Sequence, residues 1–278
     1  MERVKIAVLI DAENVSPKYI KLILDEMSEY GLVTYKKVYG DFSIPSVLAW
    51  KENIREYAMT PVFQINYTKG KSASDSALVI DAMDILYSGN VSGFCLVTSD
   101  SDFTKLAIRL RDAGMTVIGM GEQKTSNSLV AACESFKYLD LLYKESVTEK
   151  VKEQGNIVET TADSINQTVT EVAVGKSTLD TNSEGSTNHK NGVPDKDVVR
   201  NEIASIIEAR ADESGWLNIA TLGSIVTQRI PGFDSRNYGY QKLKYFLDSF
   251  ECFEMYETKN PKNKILKVVY IKNKLSGR

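Results

Sequence analysis

The chain has one histidine in 278 residues, His189, set in a polar stretch with no strand or helix pattern around it. Imidazole is therefore a poor candidate for proton transfer or metal ligation. Cysteine is also scarce. Cys95, Cys133 and Cys252 are odd in number, widely spaced and set among apolar residues. That pattern argues against a disulfide framework, a zinc site or a thiol nucleophile, and suits buried thiols in a reducing compartment. No run approaches the roughly 18 apolar residues of a membrane helix. The start, MERVKIAVLIDAEN, lacks the cationic region, long apolar region and cleavage site of a signal peptide. The expectation is a cytoplasmic protein with no membrane partner, in which any catalysis is carboxylate and metal work.

What is present is enough apolar residue, 42%, for real cores, in a chain longer than one average domain. Residues 146–194 are rich in Thr, Ser, Asn, Gly, Glu and Lys with few aromatics. Such a stretch buries too little apolar surface to offset its ordering entropy and reads as a flexible polar linker between domains at 1–145 and 195–278. Charge separates the two parts. Residues 1–145 carry 16 Lys and Arg against 19 Asp and Glu, whereas residues 195–278 carry 14 against 11. A polyanion is gripped largely by cations that displace its counterions, so the basic second part is the better candidate for nucleic-acid binding.

From residue 4 onward short apolar runs alternate with helical periodicity. VKIAVLI precedes a helix over 17–30, VTYKKVYG a helix over 45–57, PVFQINY one over 75–87, GFCLVTS one over 103–113, and TVIGMG a last helix over 127–138. Alternating strands and helices predict an α/β fold: parallel βαβ units in a three-layer sandwich. In such sheets ligands collect at the carboxyl ends of the strands, where the strand order reverses. If the first and fourth strands are neighbours, Asp11 of VLIDAEN and Asp100 of CLVTSDSDF meet there. In the second part, VVRNEIASIIEARA, WLNIATLGSIVTQRI and YGYQKLKYFLDSF predict three helices and FEMYET with KILKVVYIK a terminal hairpin, a small winged helix.

Four aspartates mark one edge of the predicted sheet: Asp11, Asp75, Asp100 and Asp102. Taken singly, Asp75 could complement a helix dipole and Asp102, like Ser99 and Ser101, could cap a helix. Together they would repel one another unless a cation sits among them. Mg2+ and Mn2+ prefer oxygen ligands, and magnesium keeps several waters, so a few convergent carboxylates suffice. Such ions activate water and neutralise charge at a phosphodiester. Asn14, three residues after Asp11, could cap the first helix or orient a water. Asp41 is expected at the border of the site, Asp81 about 120° away from Asp75 around the helix, and Asp84 in solvent. Lys69 and Lys71 could steer a phosphate backbone.

In the second part, Trp216, Leu217, Ile219, Leu222 and Ile225 are most simply core, and Tyr238, Leu243, Phe246 and Leu247 give the last helix a buried face. Arg229, Arg236, Lys242 and Lys244 surround that helix and could contact phosphates, with Asn237, Tyr238 and Tyr240 available to unpaired bases. Lys259, Lys262, Lys264 and Lys267 form a basic hairpin.

VLIDAEN, VYGD, KSASDSALVIDAMD, LVTSDSDF and TSNSLVAACESFKYLD together resemble the NYN domain, the LabA-like branch of the PIN-like metal-dependent ribonucleases. The resemblance covers about residues 3–142. It implies that Asp11, Asp75, Asp100 and Asp102 bind Mg2+ or Mn2+, with Asn14 and Ser99 supporting the site. SGWLNIATLGSIVTQRIPGFDSRNYGYQKLKYFLDSF resembles the OST-HTH or LOTUS domain, a winged-helix-like module. That resemblance implies RNA, including structured or guanine-rich RNA, as the partner, and in some members proteins instead. The expectation is a metal-dependent endoribonuclease. The alternative is a non-catalytic RNA-binding adaptor.

Overall fold

A computed structural model describes residues 4–64, 73–155, 189–190, 193–260 and 263–274, with side chains described outside 148–155, 189–190, 260 and 263–266. The first unit runs β1 (Lys5–Asp11), α1 (Ile20–Tyr30), β2 (Leu32–Gly40), α2 (Pro45–Leu48), α3 (Lys51–Glu56), β3 (Thr60–Phe63), α4 (Ala73–Ser88), β4 (Gly93–Val97), α5 (Thr104–Asp112), β5 (Thr116–Gly121), α6 (Asn127–Ala132), β6 (Ser135–Tyr138) and α7 (Leu139–Gly155). All strand pairings in the six-stranded sheet are parallel, in the order β3-β2-β1-β4-β5-β6.

Each central strand reads as a continuous apolar run because both faces are covered. Ala7 and Leu9 of β1 pack with Leu78, Ala82 and Ile85 of α4 and Leu106 and Leu110 of α5. Ile6, Val8 and Ile10 turn the other way, toward Ile23 and Met27 of α1, Trp50 and Leu139. The result is the PIN-like three-layer α/β sandwich expected from the sequence.

One expected element is different. The helix predicted over 127–138 stops at Ala132, because Cys133 is extended (φ −85°, ψ 156°) and the Glu134 amide donates to Val117 O at 2.8 Å. SFKY then forms β6, with Phe136 and Tyr138 facing a packed layer, as an alternating aromatic stretch prefers. Helix α7 follows at once and carries helix into residues expected to be linker. The linker expectation for residues 156–188, and the steering expectation for Lys69 and Lys71, lie outside the described residues. Cys95 and Cys133 are buried as expected, but Cys252 is exposed.

The second unit comprises a two-residue pair β7 (His189–Lys190) and β8 (Val193–Pro194), then α8 (Lys196–Arg210), β9 (Leu217–Asn218), α9 (Ile219–Arg229), α10 (Leu243–Asp248) and the hairpin β10 (Phe253–Asn260) and β11 (Asn263–Asn273). Its core gathers Val199, Ile203, Ile206, Leu222, Val226, Phe246, Leu247, Phe253 and Ile271. The segment read as beginning a helix at Trp216 instead starts with β9, which adds a third strand to the hairpin through Leu217 opposite Ile271. Leu217 points inward, so the alternation of a strand turns its neighbour Trp216 outward. Trp216 is therefore half-buried on the outer face and absent from the core cluster.

The two units touch. Strand β6 ends the sheet, and an uncovered edge strand offers unpaired amides. The second unit covers it: the Phe136 amide donates to Pro231 O at 2.7 Å.

Candidate functional site

The chain builds β1, β2 and β3 outward in one direction, then returns to lay β4 on the other side of β1. Connections leaving the carboxyl ends of β1 and β4 diverge, which opens a crevice there. Asp11 is the last residue of β1, and the register pairs Ile10 with Val97, so Thr98 stands beside it. The Thr98 hydroxyl donates to Asp11 Oδ2 at 2.8 Å and accepts from the Asp100 amide at 3.1 Å. One buried threonine thus bridges the Asp11 carboxylate to the backbone amide of Asp100.

Asp11 is 1% exposed. Its Oδ1 accepts from the amides of Glu13 (3.1 Å) and Asn14 (3.3 Å), and its Oδ2 accepts from Asn14 Nδ2 (2.7 Å) as well as Thr98. Four donors occupy about the four lone-pair directions a carboxylate has. None of those donors is a cation. Burial raises the Asp11 pKa above the ordinary carboxylate value, and these hydrogen bonds oppose the rise without cancelling it.

Asp100 is half-buried and caps the turn over 101–103, accepting from the Asp102 amide at 2.9 Å; Asp102 is exposed. Ser99 Oγ accepts from the Glu122 amide at 2.9 Å. This contact brings the ends of β4 and β5 so close that a Cβ on Gly121 would lie 2.6 Å from Thr98 O and 2.7 Å from Thr125 Oγ1. Asp75 is half-buried in the first turn of α4. That helix packs on β1 and β2, and as a crossover from a parallel strand it begins at the carboxyl edge, on the face that carries Asp11.

Asp81 lies elsewhere. It accepts from Lys37 Nζ at 2.6 Å and from the Tyr39 hydroxyl at 2.7 Å, pinning α4 to β2. Asp41 is buried in its own turn, accepting from the Ser43 amide at 3.0 Å, while its amide donates to Glu13 Oε1 at 3.1 Å. Asp84 is exposed, as expected. The structure therefore links Asp11 and Asp100 and sets Asp75 and Asp102 on elements at the same edge. Among the described residues, no three His, Cys, Asp or Glu side chains lie close enough together to hold a metal ion.

Sequence reasoning missed two residues here. Thr98 reads as the end of an apolar strand, and only the β1–β4 register reveals its role. Glu122 directly follows β5, at the same sheet edge as Asp11, which ends β1, and Asp100, three residues past β4; it accepts from the Tyr19 hydroxyl at 3.2 Å and pairs with Lys124 at 3.0 Å. An acid directly after a strand is the signal that could have found it.

The residues expected to touch RNA are distributed differently. Arg236 sits at the contact between the two units, donating to both oxygens of Glu26 (2.5 and 2.9 Å) and to Asp234 Oδ2 (2.8 Å). Lys137 donates to Asp234 at 2.7 Å and lies 3.8 Å from Glu26. Side-chain exposure is 7% for Glu26, 9% for Asp234, 15% for Lys137 and 27% for Arg236, so this is a largely buried four-charge cluster. Burial alone would raise the Asp234 pKa; hydrogen bonds and charge from Arg236 and Lys137 overcome it and hold the carboxyl far below its usual range. Tyr238 donates to Pro194 O at 2.6 Å, and its ring packs on Phe233 and Phe246. Arg229 pairs with Glu202 at 2.6 Å, and Lys244 pairs with Glu257. Lys242 is exposed just before α10.

Residues 5–140 match the family model of the NYN domain, and residues 195–265 match that of the OST-HTH/LOTUS domain. No curated protein matches the chain. Among solved structures, a protein of unknown function from Vibrio parahaemolyticus RIMD 2210633 is 22% identical, with a TM-score of 0.42, over 50% of this chain and 96% of that one. None of the described helices is long and apolar enough to cross a membrane. With a parallel sandwich carrying its acids at the strand-order reversal and a winged-helix unit docked on the last strand, the chain joins an NYN domain, of the PIN-like nuclease superfamily, to an OST-HTH/LOTUS domain of the RNA-binding kind.

Proposed function

We propose that the protein is a metal-dependent endoribonuclease, in which the NYN domain hydrolyses RNA phosphodiester bonds and the OST-HTH/LOTUS domain recruits the RNA. The observation that carries this reading is Asp11: a carboxylate 1% exposed, at the sheet's reversal point, wired through Thr98 to Asp100 and answered only by neutral donors. A buried carboxylate whose pKa is raised by desolvation gains from a nearby cation.

The donor set fits a hard divalent ion. It consists of oxygens alone, and Mg2+ fills most of its shell with water, so it does not need a closed cage. Asp11, Asp75, Asp100 and Asp102 would hold Mg2+ or Mn2+. Asp11 would offer such an ion an oxygen whose lone pairs are now taken by neutral donors, so one of these hydrogen bonds would have to give way. The bound ion supplies an activated water and neutralises charge on the phosphoryl oxygens. The chain's own part is positional. Thr98 fixes the spacing of Asp11 and Asp100, Asn14 orients the Asp11 carboxylate, and Ser99 holds the end of β5 against that of β4. The second domain sits against the far side of β6, whose axis lies about 10 Å from that of β4, so the RNA-recruiting unit would be held beside the cutting one.

A second reading, a non-catalytic RNA-binding adaptor, draws on the saturation of Asp11 and on the absence of three converging acids among the described residues. Incubating wild type and Asp100→Asn with labelled single-stranded, hairpin and guanine-rich RNAs, with Mn2+ or with chelator, separates them. The nuclease reading expects cleavage by wild type with metal alone. RNA bound but intact under every condition would establish the adaptor.

A further inference from the structure

We propose that the outer face of the three-stranded sheet in the second domain is a stacking platform for unpaired bases of single-stranded RNA, centred on Tyr256. The proposal rests on the RNA-recruiting role inferred above and assigns it to a face other than the surroundings of α10.

The face arises from strand alternation. Along β10, Phe253 and Met255 turn into the core, so Tyr256 must turn out. The register sets Tyr256 opposite Tyr270 of β11, and their rings stack with centroids 5.2 Å apart and planes 12° apart. Trp216, turned outward beside β9, meets Tyr256 edge-on at 4.5 Å. Lys272 Nζ lies 4.5 Å above the Trp216 ring. None of these three rings belongs to the domain's core cluster, and Tyr256 is 42% exposed. Leaving large rings in water forfeits burial energy, and contiguous exposed rings rimmed by polar groups mark binding surfaces.

The occupant follows from the RNA-recruiting role together with the chemistry around the rings. On the ring face Lys272 pairs with Glu254 at 3.3 Å as it lies over Trp216, while Lys267, 3.3 Å from Glu257, belongs to the opposite face. Along the hairpin as a whole, residues 253–274 hold six lysines against two glutamates, an excess that suits a polyanion. Aromatic faces with cations beside them bind single strands by stacking under the bases while the cations meet the phosphates. The contrasting surface around α10 is less open: Arg236 is locked between Glu26 and Asp234, and the Tyr238 hydroxyl is committed to Pro194 O.

The test uses the full chain with Asp100→Asn to prevent cutting. Fluorescence anisotropy is followed with two labelled probes, a mixed-sequence single-stranded RNA and the same ribose-phosphate strand with abasic positions. Tyr256→Ala should weaken binding of the RNA by about 5- to 150-fold and leave the abasic strand unchanged, while Tyr256→Phe keeps the parent affinity. An equal melting temperature for parent and Tyr256→Ala shows that folding is intact. Parent-like RNA affinity in Tyr256→Ala, or equal loss on both probes, overturns the platform while leaving RNA binding in place. Sedimentation showing a dimer that Tyr256→Ala dissolves, with RNA affinity unchanged, overturns it in favour of a face between copies of the chain. A parent protein that binds neither probe removes the RNA-recruiting reading itself, and the platform with it.

Discussion

Asp11 and Asp234 are both buried carboxylates, and their surroundings push them in opposite directions. Asp234 lies beside Arg236 and Lys137, and those charges hold its proton affinity far down. Asp11 has as many hydrogen bonds as its oxygens can accept, all from neutral groups, and burial keeps its proton affinity up. Hydrogen-bond satisfaction and charge satisfaction are separate requirements. The contact between the domains meets both within the chain, whereas the sheet edge meets only the first, which is the difference that the proposed cation site requires.

The largest expected effect is on the self-contained cluster. Arg236→Ala leaves Glu26 and Asp234 buried with only Lys137 between them, and breaking a buried pair in this way costs about 3–5 kcal/mol. Hydrogen exchange at the Phe136 amide, which bonds to Pro231 O across the contact, should accelerate as the domains separate. Unchanged protection there would mean that the cluster does not hold them together.

Next in size is the sheet edge. Asp100→Asn should lower metal-dependent cleavage by more than about 100-fold, since substitutions of groups that merely support metal ligands already cost 10- to 100-fold. Wild-type rates in the variant would remove Asp100 from the site. Thr98→Val keeps the shape of the side chain but deprives Asp11 Oδ2 of one donor and the Asp100 amide of its acceptor, a cost of about 1–3 kcal/mol readable in urea unfolding.

The smallest effect is the pH response, and it should distinguish the two carboxylates. Asp234, held low, contributes stability that is fully present above its unfolded value near 3.8 and is lost as pH falls through its lower folded value. Asp11, held high, does the reverse: between 3.8 and its raised value the folded state binds the extra proton, so stability from this group declines as pH rises through that window. Metal-free wild type should therefore show a decline toward neutral pH that is missing in Asp11→Asn. Identical slopes in the two proteins would dissolve the contrast.

Much of this was legible in the chain. Strand and helix alternation predicts the sandwich, and carboxylates placed directly after the first and fourth apolar runs predict a shared edge once those strands are neighbours, as they are. The rest depends on contacts far apart in sequence. Arg236 looks like a phosphate ligand because its partner, Glu26, is 210 residues away. Trp216 looks like core because nothing local announces the two-residue strand that turns it outward. Strand β6 was hidden because SFKY follows a short helix and needs the edge of β5 to become extended.

The most direct test compares melting temperatures of wild type and Asp11→Asn, each with chelator and with Mn2+. The account predicts that Mn2+ raises the melting temperature of wild type but not of the variant, in which a neutral amide replaces the buried carboxylate. Equal shifts on adding Mn2+, or none in either protein, would contradict it.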